Sequence, residues 1–112
     1  MNPEVLTRIL WLAVEGDSGL WEVLWDLTAH YPDLPAQERE ALAWKGVAEL
    51  VGRKWIRVCS CVEPGGSLSS LSEAQIKAAL AEKRSWRAPA KGGVSIRITA
   101  TDSGRAEVSA SK

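Results

Sequence analysis

One segment of the chain alternates strictly between apolar and polar residues. In VSIRITAT, residues 94–101, Val94, Ile96 and Ile98 fall on one side and Ser95, Arg97 and Thr99 on the other. That is the period-two pattern of a strand with one buried face. A strand needs a neighbour to take its backbone hydrogen bonds. The other strand-forming run is WIRVCSCV, residues 55–62, with Trp55, Ile56, Val58 and Val62 following a turn at Gly52 and Arg53. Residues 55–61 and 94–100 are therefore expected to pair antiparallel, although about thirty residues separate them.

The chain before this pair reads as three helices. Asn2 is suited to cap a first helix over residues 3–15, and Pro3 suits its first position. Val5, Leu6, Ile9, Leu10 and Ala13 recur at helical spacing, and Gly16 is a stop. Ser18 is expected to cap a second helix over 19–30, with Leu20, Val23, Leu24 and Leu27 on its core stripe. Trp21 and Trp25 flank that stripe, about 100° round the helix. HYPDLP then breaks the pattern with two prolines. A third helix follows from about Pro35 to Gly52, its inward set expected to be Ala43, Trp44, Val47, Leu50 and Val51.

Between the two strands lies an excursion, residues 63–91. EPGGSLSS is a loop by composition, and Ser72 with Gln75 makes a capping box for a fourth helix over 72–84. RAPAKGG returns to the second strand, and a short helix is expected from about residue 103 before a Ser/Ala/Lys tail. With 112 residues in all, the expectation is a single α+β domain, mainly helical, with a two-stranded antiparallel unit interrupted by a helical insertion.

Several function classes are disfavoured. No apolar run reaches the roughly 18 residues that span a bilayer. MNPEVLTRIL has no basic leader followed by a small-residue cleavage site, so a cytoplasmic protein with no membrane partner is expected. Cys59 and Cys61 would share one face of a strand, and His30 is the only histidine. This falls short of the ligand set a metal needs, so reduced thiols, no metal and no cofactor are expected. The glycine-rich EPGGSLSS lacks the Gly-Lys-Ser/Thr of a phosphate loop, His30 has no orienting partner in sequence, and no enzyme is expected.

Charge is balanced in total but not along the chain. Residues 1–44 carry eight acids and two bases, a balance of −6, and residues 45–112 carry twelve bases and six acids, a balance of +6. Such asymmetry suits either a nucleic-acid face or a solvated surface on which the signs happen to segregate.

Three phrases carry a family resemblance. ILWLAVEGDSGLWEVLWDL (9–27) resembles the first two helices of PadR- and MarR-type transcriptional regulators. AELVGRKWIRV (48–58) is similar to the passage from third helix to first wing strand in winged helix-turn-helix domains. IRITATDSGRAEV (96–108), with Thr101 and Gly104, is similar to their closing phrase. The resemblance covers most of the chain except residues 63–91. It implies a winged-helix DNA-binding regulator, with DNA contacts from Gln37, Arg39 and Lys45 on the third helix. Arg53, Lys54, Lys83, Arg84, Arg87, Lys91 and Arg97 would add contacts from the wing side. Glu38 and Glu40 depart from the pattern, because carboxylates at the start of a recognition helix face phosphate charge. The alternative is a winged-helix protein-interaction module without sequence-specific DNA binding. A homodimer is expected through helices 1 and 2, with Trp11, Trp21 and Trp25 at the contact and one of Trp21 and Trp25 buried within the domain.

Overall fold

The computed structural model describes residues 2–63 and 66–110. Residues 1, 64–65 and 111–112 lie outside the described residues. Helix α1 is Pro3–Glu15, strand β1 Ser18–Gly19, α2 Leu20–His30, α3 Ala36–Gly52 and β2 Ile56–Val62. Strand β3 is Ser69–Ser70, α4 Glu73–Ala81, β4 Val94–Ala100 and α5 Asp102–Ala110, with a 3-10 helix at Lys83–Trp86 between α4 and β4. The described residues thus form an α+β fold, mostly helical, with a four-stranded antiparallel sheet in the order β1-β4-β2-β3. No described helix is long and apolar enough to cross a membrane.

Strands β2 and β4 pair antiparallel over their full length, from Ile56 opposite Ala100 to Val62 opposite Val94. The pairing expected across the excursion is present. Opposed residues in such a ladder share a face. Val58 and Ile98 therefore point together into the helical layer, and Cys59 and Arg97 point the other way. Val5, Ile9, Leu20, Val23, Leu27, Val47 and Leu50 meet Val58 and Ile98 in one core.

The alternation of β4 is correct, but its simple division into buried and solvated faces is not. Val94 lies beyond the helical layer and is 62% exposed, whereas Ser95, Cys59 and Cys61 on the opposite face are buried. Chain on that second face covers them. The Cys61 thiol donates to the Gly66 carbonyl at 3.2 Å, and the Ser95 hydroxyl donates to Glu63 at 2.8 Å.

Local chemistry sets the helix ends. The Asn2 side-chain oxygen accepts from the Glu4 N–H at 2.9 Å, as expected for a cap. Ser18 does not cap α2. It sits in β1, paired with Ile98, and its hydroxyl donates to the Leu12 carbonyl at 2.8 Å. Gly19 takes the cap position, and Glu22 reaches back to accept its N–H at 3.1 Å. Ser72 and Gln75 form the expected reciprocal cap on α4. That helix stops at Ala81 rather than near 84, because Glu82 adopts an extended backbone and the chain turns into the 3-10 helix.

On α3 the inward residues are Ala43, Gly46, Val47 and Leu50. Trp44, expected to point inward, is 44% exposed. It lies about 100° from Ala43, off the edge of a core stripe that Gly46 and Val47 already complete.

The last helix is tied to the turn before β2. The Thr101 hydroxyl donates to the Lys54 carbonyl at 2.7 Å and accepts from the Gly104 N–H at 3.1 Å. The Thr101 N–H donates to the Trp55 carbonyl at 2.9 Å. Lys54 itself has a φ of 62°, in the left-handed region. A Cβ at Gly104 would lie 2.1 Å from the Trp55 carbonyl oxygen, a backbone atom that cannot step aside. Replacing a helical glycine by alanine ordinarily stabilises by up to about 1 kcal/mol. Here the sign should reverse: Gly104→Ala should destabilise by about 1–3 kcal/mol. Urea titration against Ser103→Ala as an exposed control checks it, and a stabilised Gly104→Ala would contradict the close packing.

Candidate functional site

The insertion does not project from the strands as an open wing. Its two ends are clamped beside the Val62–Val94 pair, where the Glu63 N–H donates to Gly93 at 2.9 Å and the Gly92 N–H donates to Glu63 at 3.0 Å. Leu71 then donates its N–H to the Val58 carbonyl at 3.0 Å, starting α4 beside β2. From there α4 and the 3-10 helix run back along α3 and α2. Ile76, Leu80 and Trp86 pack against the edge of the core. The Trp86 indole N–H donates to the Leu80 carbonyl at 3.0 Å and holds the 3-10 helix on the end of α4.

This return leaves a cavity of about 730 Å³ between the insertion and the helix pair. One wall is a ridge of α3, with Trp44, Ala48 and Val51 and, a turn earlier, Glu40. The facing wall is α4, with Ile76 and Leu80, and Leu24 of α2 and Trp86 complete the apolar lining. Glu40 and Glu73 bring negative charge to the lining, and Lys77, Lys83 and Arg87 bring positive charge. An apolar concavity of this size with a few charged groups at its edge is the usual form of a binding site.

The residues expected to touch DNA divide into three groups. Arg97 is taken up inside the fold. Its guanidinium pairs with Glu63, with Nε at 3.1 Å, donates to the Asp17 carbonyl at 3.0 Å and lies 5.2 Å from the centre of the Trp21 ring. Its side chain is only 17% exposed. Arg39, Arg53 and Arg84 have intramolecular partners. Arg39 donates to the Leu34 and Pro32 carbonyls and closes the α2–α3 turn. Arg53 pairs with Glu49 at 2.6 Å and covers Trp55, and Arg84 pairs with Glu82 at 3.2 Å. Gln37, Lys45, Lys54, Lys83, Arg87 and Lys91 are exposed. Among these, Lys83 and Arg87 come together at the cavity, Lys45 lies over the Trp44 ring at 5.9 Å, and Lys54 and Lys91 sit in turns.

The three tryptophans expected at a dimer contact differ in their surroundings. Trp21 is buried, its ring packed directly against Gly19 and beside Arg97. Trp25 is 62% exposed, so the two differ as expected. Trp11 lines a smaller cleft of about 190 Å³ with Leu10, Arg53, Trp55 and Val108, on the α1–α5 side of the molecule. His30 joins no catalytic set. Its Nδ1 lies 2.9 Å from the Asp26 carbonyl, and Arg8 bridges it to the Asp26 carboxylate, tying α1 to α2.

Trp44, expected in the core, lines the cavity, and Glu63, without an expected role, holds Ser95 and Arg97. For Trp44 a signal existed: Glu40, Trp44, Ala48 and Val51, spaced by four, four and three, make a second ridge beside the core stripe. For Glu63 there was none, since its partners Ser95 and Arg97 are more than thirty positions away.

No family model, no curated protein and no solved structure matches this chain.

The Glu63 cluster gives a pH test of the insertion's clamp. Hydrogen bonds from Arg97 and then Ser95 hold the Glu63 carboxyl below the usual carboxylate range. A carboxyl whose folded value is lowered contributes stability above its unfolded value, about 4.3, and loses it as pH falls through the folded value. Glu63→Gln should therefore be less stable than wild type at pH 7, with the gap closing below about pH 4.3. Denaturant midpoints measured from pH 7 to pH 3 check this; a gap that stays constant would show that Glu63 makes no charge-dependent contribution.

Proposed function

We propose that the chain is a winged-helix domain that works as a protein-interaction module, docking a partner in the cavity between α3 and the insertion. The element order supports the winged-helix part: three helices, a short β1 between the first two, and β1 laid beside β4 and then β2. The cavity is the observation that carries the interaction part. It has apolar walls from several elements and an indole, Trp44, left open to solvent on α3.

The α3 surface itself is poorly suited to DNA. Glu38 and Glu40 are exposed in its first turns, and Arg39, the basic residue between them, is bound to the preceding turn. Phosphate contact depends on lysine and arginine, and carboxylates oppose it. DNA binding is the second reading, favoured by one observation: among the described residues Lys83 and Arg87 have no ion-pair partner and lie on the same edge.

A shift assay on random duplex DNA across a salt series separates the two. The interaction reading expects no retention at about 0.15 M salt by micromolar protein, the regime of non-specific contacts at best. Retention with a steep salt slope, reduced by up to about 2 units in Lys83→Ala/Arg87→Ala, would move the assignment to DNA.

A further inference from the structure

The shape and charge of the cavity specify its occupant more closely, resting on the interaction reading above. We infer that it takes an amphipathic α-helix of a partner protein, with an apolar ridge flanked on one side by acidic residues. The α3 wall from Glu40 to Val51 covers twelve residues of helix, about 16 Å or three turns. The α4 wall from Glu73 to Ala81 covers about 12 Å. Both walls are helical ridges, and each has the length over which a helix presents anchors at i, i+3 or i+4, and i+7. Ala48 and Ala81 are the small residues on the two walls. Small residues allow the close approach of a third helix, whereas the indoles of Trp44 and Trp86 supply large flat contacts for leucine-sized anchors.

The rim sets the polarity. Lys77, Lys83 and Arg87 all come from the insertion, and among the described residues none of the three has an ion pair or hydrogen bond from its side chain. Glu40 is the charged residue of the α3 wall, and Glu73 lies in the first turn of α4. An occupant matching this rim carries acids along the side that faces the insertion's cations. It can carry a base where it passes Glu40. A continuous nucleic-acid backbone does not fit the arrangement, because Glu40 and Glu73 line the same trough and the lining between is apolar.

Random 16-residue peptides displayed on phage, selected on the full chain, provide the test; recovered sequences are synthesised and their affinities measured by fluorescence anisotropy. The expected consensus has apolar residues at i, i+3 or i+4, and i+7 with Asp or Glu on one flank. Binding should weaken at least tenfold in Trp44→Asp and in Lys83→Glu/Arg87→Glu. Exchanging the peptide's flanking acids for lysine should restore binding to the charge-reversed protein. All the substituted side chains are exposed, so the variants should stay folded, which circular dichroism checks. Groove-dependent peptides with a basic flank or without helical spacing would overturn the acidic-helix assignment and leave the interaction reading standing. Failure to recover any peptide sensitive to these substitutions would overturn both.

Discussion

The ladder between β2 and β4 holds the rest of the structure in place. Seven opposed residue pairs, Ile56–Ala100 to Val62–Val94, fix where the intervening excursion leaves and re-enters the fold. Once both ends are pinned at one place, the segment between must double back. Closing a loop of that length costs only slightly more than closing a shorter one, since the cost grows with the logarithm of length. What the insertion then gains is burial of Leu71, Ile76, Leu80 and Trp86 against the flank of the core. The cavity is the space that this return does not fill.

The same ladder explains how the positive charge of the chain is divided. Its second face carries Arg97 beside Cys59 and Cys61, and there Trp21 and Glu63 lie against the Arg97 guanidinium. An arginine placed there must find partners within the fold, and it finds a carboxylate, a carbonyl and an indole face. The cations at the cavity, unpaired among the described residues, come instead from the exposed edge of the insertion. Proximity in sequence therefore says little about function here: Arg84 and Arg87 are three residues apart, yet Arg84 pairs with Glu82 and Arg87 lines the cavity.

The secondary structure was largely legible because each element carries a local signal. Asn2-Pro3 marks the start of α1, Ser72 and Gln75 mark α4, and strict alternation marks β4. Thr101 and Gly104, noted only as part of a resemblance, prove to be a cap and a close backbone contact. Two strands were missed, β1 and β3, because two residues give no periodicity and their existence depends on partners elsewhere in the chain. The site was harder to read for the same reason. Trp44 looks like core on a helical wheel, and only the packing of Gly46 and Val47 inward leaves it outside. That Arg97 is enclosed depends on Glu63, Asp17 and Trp21, none of which is near it in sequence.

Residue-resolved hydrogen exchange of the free protein tests the central claim, that the insertion is folded back as a wall of the cavity. The account expects slow exchange for the amides in the last turn of α4 and for the Trp86 indole N–H, which donates to Leu80. Protection there should be lost together with that of the adjoining ladder when the clamp at Glu63 and Gly93 opens. Exchange of α4 and Trp86 at the rate of an unstructured chain, with β2 and β4 still protected, would mean that the insertion is a free loop and that the cavity has no second wall.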